Sequence, residues 1–251
     1  MQMKKEIHLS AEDLLGMVQV RPGDFGKFAI ITGPADRRDA VLKKLKDPMR
    51  NFSFMEYAFY TGYLDDIKVT VGNGGRFSPD SAITAEIACA GGVEYLIRAG
   101  SCGAVDEKIN IGDSFIVDSI IRGDGVTPSY VDENFKTNSN KEVIDALKKA
   151  ADNLKLSYHV GTNWTTDALL RETREVVEAK RSEGARSVDM VCSALLTIAQ
   201  LKKVKAAAIL AVSDNLITGE MGFINPKYYM AENHIIQVSL DAIKILAKNK
   251  Q

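Results

Sequence analysis

Residues 93–105 read Val93-Glu94-Tyr95-Leu96-Ile97-Arg98-Ala99-Gly100-Ser101-Cys102-Gly103-Ala104-Val105. The stretch begins as a short buried-strand pattern (Val93, Tyr95, Leu96, Ile97) and is interrupted at Gly100 and Gly103. Arg98 stands where the strand pattern gives out, and Ser101 lies between two glycines. Glycines let a backbone approach a ligand closely and turn its N–H groups toward it. An arginine fork adds charge-assisted donors, and a serine hydroxyl adds a neutral one. Two readings follow from the residues alone. One is a small-anion site at the carboxyl end of a strand, where open α/β sheets hold ligands. The other is a strand-to-loop corner whose arginine pairs with a structural carboxylate.

The rest of the chain narrows the class of protein. A chain of 251 residues can form one α/β domain with a large apolar core. A formal net charge of −1 and the lack of a basic run argue against nucleic acid as a partner. Cys89, Cys102 and Cys192 have no metal-type spacing and sit in apolar or glycine-rich surroundings, which fits a reduced, cytoplasmic setting and no metal. Neither an export-type leader nor a membrane-length apolar run is read. With no repeat, low-complexity segment or linker, one domain over 1–251 is the expectation.

Taken in order, residues 28–31 form an apolar strand ended by Gly33-Pro34, and a helix is expected over about 35–46. Residues 52–72 read as two antiparallel strands turning near 64–66. A glycine-rich loop, Gly72-Asn73-Gly74-Gly75-Arg76-Phe77-Ser78-Pro79, leads into a helix over about 79–91, with Ser78 as its N-cap and Ala82, Ile83, Ile87 and Ala90 inward. A strand at 114–121, a helix at about 140–154 with Val143, Leu147 and Ala150 buried, and a strand at 157–164 follow. The charged segment 171–186 reads as a solvated helix with a turn at Gly184, and another helix covers 192–202. Residues 206–212 are a clean apolar strand running into Ser213-Asp214-Asn215. An acid at the end of a buried strand is either a helix cap or a chemical group. An amphipathic helix over about 229–248 closes the chain, with Ile235, Val238, Ile243 and Leu246 inward.

The segment 97–104 resembles the phosphate-binding segment of the hexameric purine nucleoside phosphorylase and uridine phosphorylase family, and the similarity extends over roughly residues 8–248. The resemblance implies an α/β fold with a central mixed twisted sheet flanked by helices. It implies a pentosyltransferase that uses nucleoside and inorganic phosphate, without another cofactor, as an even-numbered homo-oligomer, most typically a hexamer. Arg98 and Ser101 would hold the phosphate, joined by Gly33 and Arg37, with Arg38 as the alternative to Arg37. Arg50 matches an arginine that reaches a neighbouring subunit's phosphate, and His8 one that reaches a neighbour's sugar 5′-hydroxyl. On their own, both also read as solvated surface residues.

The remaining expected nucleoside contacts are Ser213, Asp189, Met190, Val191, Thr166, Leu169 and Trp164, the last either over the base or in the core. Asp214 stands where purine-specific relatives carry the aspartate that protonates N7 of the departing base, so the base preference leans to purine. Three departures stand out. Val191 replaces the carboxylate that takes the ribose hydroxyls, and Leu169 and Leu170 replace aromatics over the base. Arg76 replaces a glycine, either as a contact to phosphate or another anionic group, or as an exposed loop residue. The expected activity is phosphorolysis of purine nucleosides to free base and pentose 1-phosphate. Its rivals are a uridine phosphorylase, a hydrolytic nucleosidase of the same fold, and a catalytically weak nucleoside-binding protein.

Overall fold

The 93–105 stretch becomes the hub of the sheet. In the computed structural model, which describes residues 7–249, strand β5 (Tyr95–Ala104) pairs with three other strands. These are β1 (Phe28–Thr32), β8 (Ala185–Asp189) and β9 (Lys205–Asn215). β1 and β5 run parallel and are buried along nearly their whole length, as continuous apolar strands covered on both faces must be.

Beyond β1 the sheet continues through β4 (Ile67–Asn73) and β3 (Tyr57–Leu64) to the edge strand β2 (Lys46–Phe54). On the other side, β6 (Ser114–Gly123) and β7 (Tyr158–Thr166) bridge β9 to β8. Because β5 pairs with both β8 and β9, the strands β9, β6, β7, β8 and β5 close into a ring. The short β10 (Glu220–Met221) adds to β9, giving a mixed sheet of ten strands.

Side chains on a strand alternate between faces. Ile97 and Ala99 of β5 therefore enter one core, with α2 (Ala35–Leu42), α4 (Lys141–Asn153) and α7 (Pro226–Lys248). Leu96, Cys102 and Ala104 enter the other, with α1 (Ala11–Met17), α3 (Ser78–Ala90) and α6 (Cys192–Leu201). A third, smaller cluster gathers Val105, Trp164, Val177, Ala185 and Val188, with Val177 coming from α5 (Arg174–Ser182). No helix among the described residues is long and apolar enough to cross a membrane.

Several local readings change. Gly100 and Gly103 do not end β5, because its pairing with β9 carries on through Ser101↔Ala211 and past a bulge after Cys102. The helix expected to reach residue 46 stops at Leu42, and 46–54 is strand instead. That strand tolerates Pro48 because it lies at the sheet edge, where an absent N–H breaks no ladder. Ser78 is the first residue of α3 rather than its cap. Its hydroxyl donates to Asp167 Oδ1 at 2.6 Å and to the Met190 carbonyl at 3.1 Å. Ile83 faces outward and is substantially exposed. Helix α1, absent from the sequence reading, starts with a capping box between Ser10 and Asp13.

The packing of α4 on α7 depends on fully buried Leu147. Leu147→Ala is expected to destabilise the protein by roughly 2–5 kcal/mol, through lost transfer energy and a residual cavity. The exposed Leu154→Ala should change stability by no more than about 0.5 kcal/mol. Urea midpoints at constant slope measure both changes.

Candidate functional site

The carboxyl ends of β1, β5 and β9 meet the loop before α3 and the entry to α6 around a cleft of about 250 Å³. Gly33, Arg37, Arg76, Arg98, Ser101, Leu169, Asp189, Met190, Val191, Ser213 and Asp214 all line it. Of the two neighbouring arginines on α2, Arg37 is the one in the cleft. Arg38 donates instead to Asn73 Oδ1 at 2.8 Å and stacks on the Tyr60 ring, its guanidinium carbon 5.0 Å from the centroid.

One region of the cleft is cationic and deeply buried. Arg98 is 3% exposed and Arg37 is 6% exposed, a rare state for arginine. Both guanidiniums donate to the Ala99 carbonyl, from Arg98 Nη1 at 3.1 Å and Arg37 Nη1 at 3.4 Å. Burial, with the charge of Arg37 as a further contribution, pulls the Arg98 pKa down to about 10. Glu232 of α7 balances Arg37 in a close ion pair and also accepts from the Tyr228 hydroxyl at 2.9 Å.

The Nε atoms of both arginines are buried without a hydrogen-bond partner among the described residues. Two converging guanidiniums with unsatisfied donors make a site for a small polyanion. Arg76 adds a third guanidinium, nearly half exposed and held by ion pairs to Glu56 and Asp80.

The walls are built by backbone and apolar groups. Met190 and Val191 sit where β8 gives way to α6, and Ser78 and Ser81 of α3 clamp their carbonyls at 3.1 and 3.2 Å. Asp189 lines the cleft with both oxygens already engaged. It accepts from Asn163 Nδ2 at 2.8 Å, Thr165 Oγ1 at 2.7 Å and the Cys192 N–H at 2.9 Å. Leu169 lies in a helical turn after β7. Phe223, which the sequence reading did not single out, lines the cleft from the loop before α7.

A second region is acidic. Asp214 stands at the end of β9, paired in register with Gly103 and Met221. Its Oδ1 accepts from the Ser213 hydroxyl at 2.6 Å, and burial raises its pKa. Glu172, also missed from sequence, joins it in the cleft. Burial, reinforced by the charge of Asp214, pushes the Glu172 carboxyl up to about 7. Its charge-rich neighbourhood looks solvated by composition alone.

Four expected residues lie outside the cleft. Trp164 is 4% exposed in the small core with Val105, Val177 and Val188, so it packs the ring of strands and does not face a base. Thr166 is buried, and its hydroxyl accepts from the Ala168 N–H at 3.2 Å. His8 and Arg50 are exposed, one ahead of α1 and the other on edge strand β2.

A model of the phosphorylase superfamily matches residues 27–238. The chain belongs to this superfamily. Among relatives of this phosphorylase, the uridine phosphorylase of Thermococcus kodakarensis is 28% identical over 245 residues, covering 92% of this chain and 86% of the relative. The DeoD-type purine nucleoside phosphorylase of Brevibacillus brevis is 31% identical over 188 residues, covering 74% and 80%. The purine nucleoside phosphorylase from Toxoplasma gondii in complex with immucillin-H shares the fold, with a TM-score of 0.84 at 22% identity over 99% of this chain and 100% of that one. Family membership makes the chain a pentosyltransferase of the nucleoside phosphorylase type.

The glycines around Arg98 are spacers for its guanidinium. A Cβ added at Gly100 would lie 2.9 Å from Arg98 Cζ and 2.8 Å from Leu210 Cδ2, both on buried side chains. Gly100→Ala should therefore shift the guanidinium at an overpacking cost of roughly 1–3 kcal/mol. The phosphate affinity of the phosphorylase is expected to fall by about tenfold or more, since a hydrogen bond to a charged group contributes roughly 1.5–3 kcal/mol. Phosphate titration beside a thermal melt reads both effects.

Proposed function

We propose that this phosphorylase cleaves purine nucleosides, giving free base and pentose 1-phosphate. The observation that carries the reading is Asp214, a half-buried carboxyl with a raised pKa in the same cleft as the paired guanidiniums. A pyrimidine has no N7 for such a group to protonate.

In this reading Arg98, Arg37, Ser101 and the backbone at Gly33 hold phosphate beneath the sugar, and Arg76 adds a contact from the loop. A phosphate oxygen attacks C1′ as the bond from C1′ to N9 breaks. The bond's electron pair passes into the base, and N7 takes the proton from Asp214, which is left as carboxylate. Ser213 holds the acid in place through its 2.6 Å hydrogen bond. Met190, Val191 and Leu169 supply apolar contact to the nucleoside. The unsatisfied Nε atoms of Arg37 and Arg98 support phosphate over water as nucleophile, because hydrolysis gives two buried guanidiniums no anion to bind. The relationship to the T. kodakarensis uridine phosphorylase favours pyrimidine cleavage as the second reading.

A panel of purine and pyrimidine nucleosides, assayed for base release with and without phosphate, separates the readings. Phosphate-dependent release from purines alone is expected. Release without phosphate points to a nucleosidase, and binding without release to an inactive binder. Asp214→Asn should lower purine turnover by on the order of 10²-fold with the fold intact, as loss of a positioned general acid does. Unchanged turnover removes Asp214 from the reaction.

The reading extends to assembly. His8 and Arg50, exposed and outside the chain's own cleft, are assigned to a neighbour's cleft, so the protein works as a closed, even-numbered homo-oligomer, a hexamer in the family's usual form. Light scattering at micromolar concentration should report an oligomer. A monomer with full activity sinks the assignment.

A further inference from the structure

Three carboxyl groups line the cleft, and they differ in what satisfies them. Asp189 already has three donors, and Asp214 has one. Glu172 has none among the described residues, although it is only partly exposed and shares the cleft with Asp214. Hydrogen-bonding capacity at this wall is thus acid capacity, available to whatever occupies the cleft.

On a purine, the substituent at C6 lies on the same edge as N7. The opposite neighbour of N7 is C8–H, which needs no polar partner and leads back toward the sugar. With N7 assigned to Asp214, a second carboxyl on that wall has the C6 substituent as its polar target. We propose that Glu172 reads this substituent, donating to a 6-oxo oxygen when protonated and accepting from a 6-amino group when ionised. The inference rests on the purine reading above and adds a specificity-determining residue to it.

The position of Glu172 suits a change of state in the working pH range. Burial, and then the charge of Asp214 on β9, hold its carboxyl at about 7; the other charged groups of the cleft are Arg37, Arg76, Arg98 and Asp189. Below that pH the group is protonated and donates, which favours 6-oxopurines. Above it the group is ionised and accepts, which favours 6-aminopurines. Asp214 acts on both substrates alike, so its own titration cancels in their ratio.

The experiment measures kcat/KM for inosine and adenosine from pH 5.5 to 8.5 on the full chain, at saturating phosphate. The inosine-to-adenosine ratio is expected to fall by about tenfold across this range, the effect of a hydrogen bond worth roughly 1–1.5 kcal/mol. In Glu172→Gln, whose amide both donates and accepts, the ratio should become flat with pH. If both nucleosides are cleaved and the wild-type ratio is flat, Glu172 does not read the base. A Gln variant that keeps the wild-type slope rules it out equally. If neither is cleaved at any pH while uridine is, the purine reading falls first and takes this inference with it.

Discussion

Two guanidinium groups buried side by side are the constraint around which this molecule is arranged. Charge removed from water is strongly disfavoured unless paired or hydrogen-bonded, and like charges disfavour each other further. Arg98 reaches the cleft from the middle of β5, the strand that pairs with β1, β8 and β9, so its Cα is as immobile as any in the fold. Arg37 comes from the first turns of α2 and is held by Glu232 of α7, nearly two hundred residues later in the chain. The helices on that face of the sheet therefore both cover apolar strand surface and supply the counter-charge for one of the two guanidiniums. Among the described residues no carboxylate forms an ion pair with the other. Among the described residues Arg98 donates to the Ile31 and Ala99 carbonyls alone, which in the proposed reading leaves its charge for phosphate.

The glycines of the site follow from the same constraint. A Cβ at Gly33, Gly75 or Gly100 would stand between 2.9 and 3.6 Å from guanidinium atoms of Arg98. Two separate segments, at Gly75 and Gly100, thus lack side chains where the arginine needs room. This gives those two glycines a cause besides turn geometry, which the positive φ of Gly74 does require. They are walls of a slot around one planar cation.

How far this could be read from sequence depended on the kind of signal each residue carries. β1, β5, β9, α4 and α7 are long or strongly patterned apolar elements, and their burial follows from pattern alone. β2 is almost wholly exposed along its outer half and contains Pro48, so nothing in its composition separates it from the end of a helix. β8 is five residues long and becomes a strand only because β7 and β5 flank it. Arg98, Ser101 and Asp214 were legible because polar groups at the ends of buried strands are rare enough to demand a reason. Trp164 was left open between base and core, and strand parity decides for the core. Its neighbour Thr165 reaches Asp189, while Trp164 itself turns into the core of the ring. Glu172 was hidden by the charged helix that follows it, since composition cannot report that one carboxyl among several is folded under a turn.

The distribution of acid in the cleft ties these pieces together. The wall formed by Met190 and Val191 offers the ligand apolar surface, because position 191 is a valine and Asp189 spends its oxygens on Asn163, Thr165 and Cys192. Those bonds hold the start of α6 against β7 and β8, so Asp189 shapes the wall from behind without presenting charge to it. All of the cleft's available carboxyl capacity is then at Asp214 and Glu172, the region given to the base in the proposed reading. In that reading a neutral wall for the sugar reduces what hydroxyls there can contribute to binding, whereas the charge of Asp214 raises the proton affinity of Glu172 beside it. Moving acid from the sugar wall to the base wall therefore has a single physical effect. In the proposed reading it keeps a proton available beside the leaving group, which the departing base takes up as the glycosidic bond breaks.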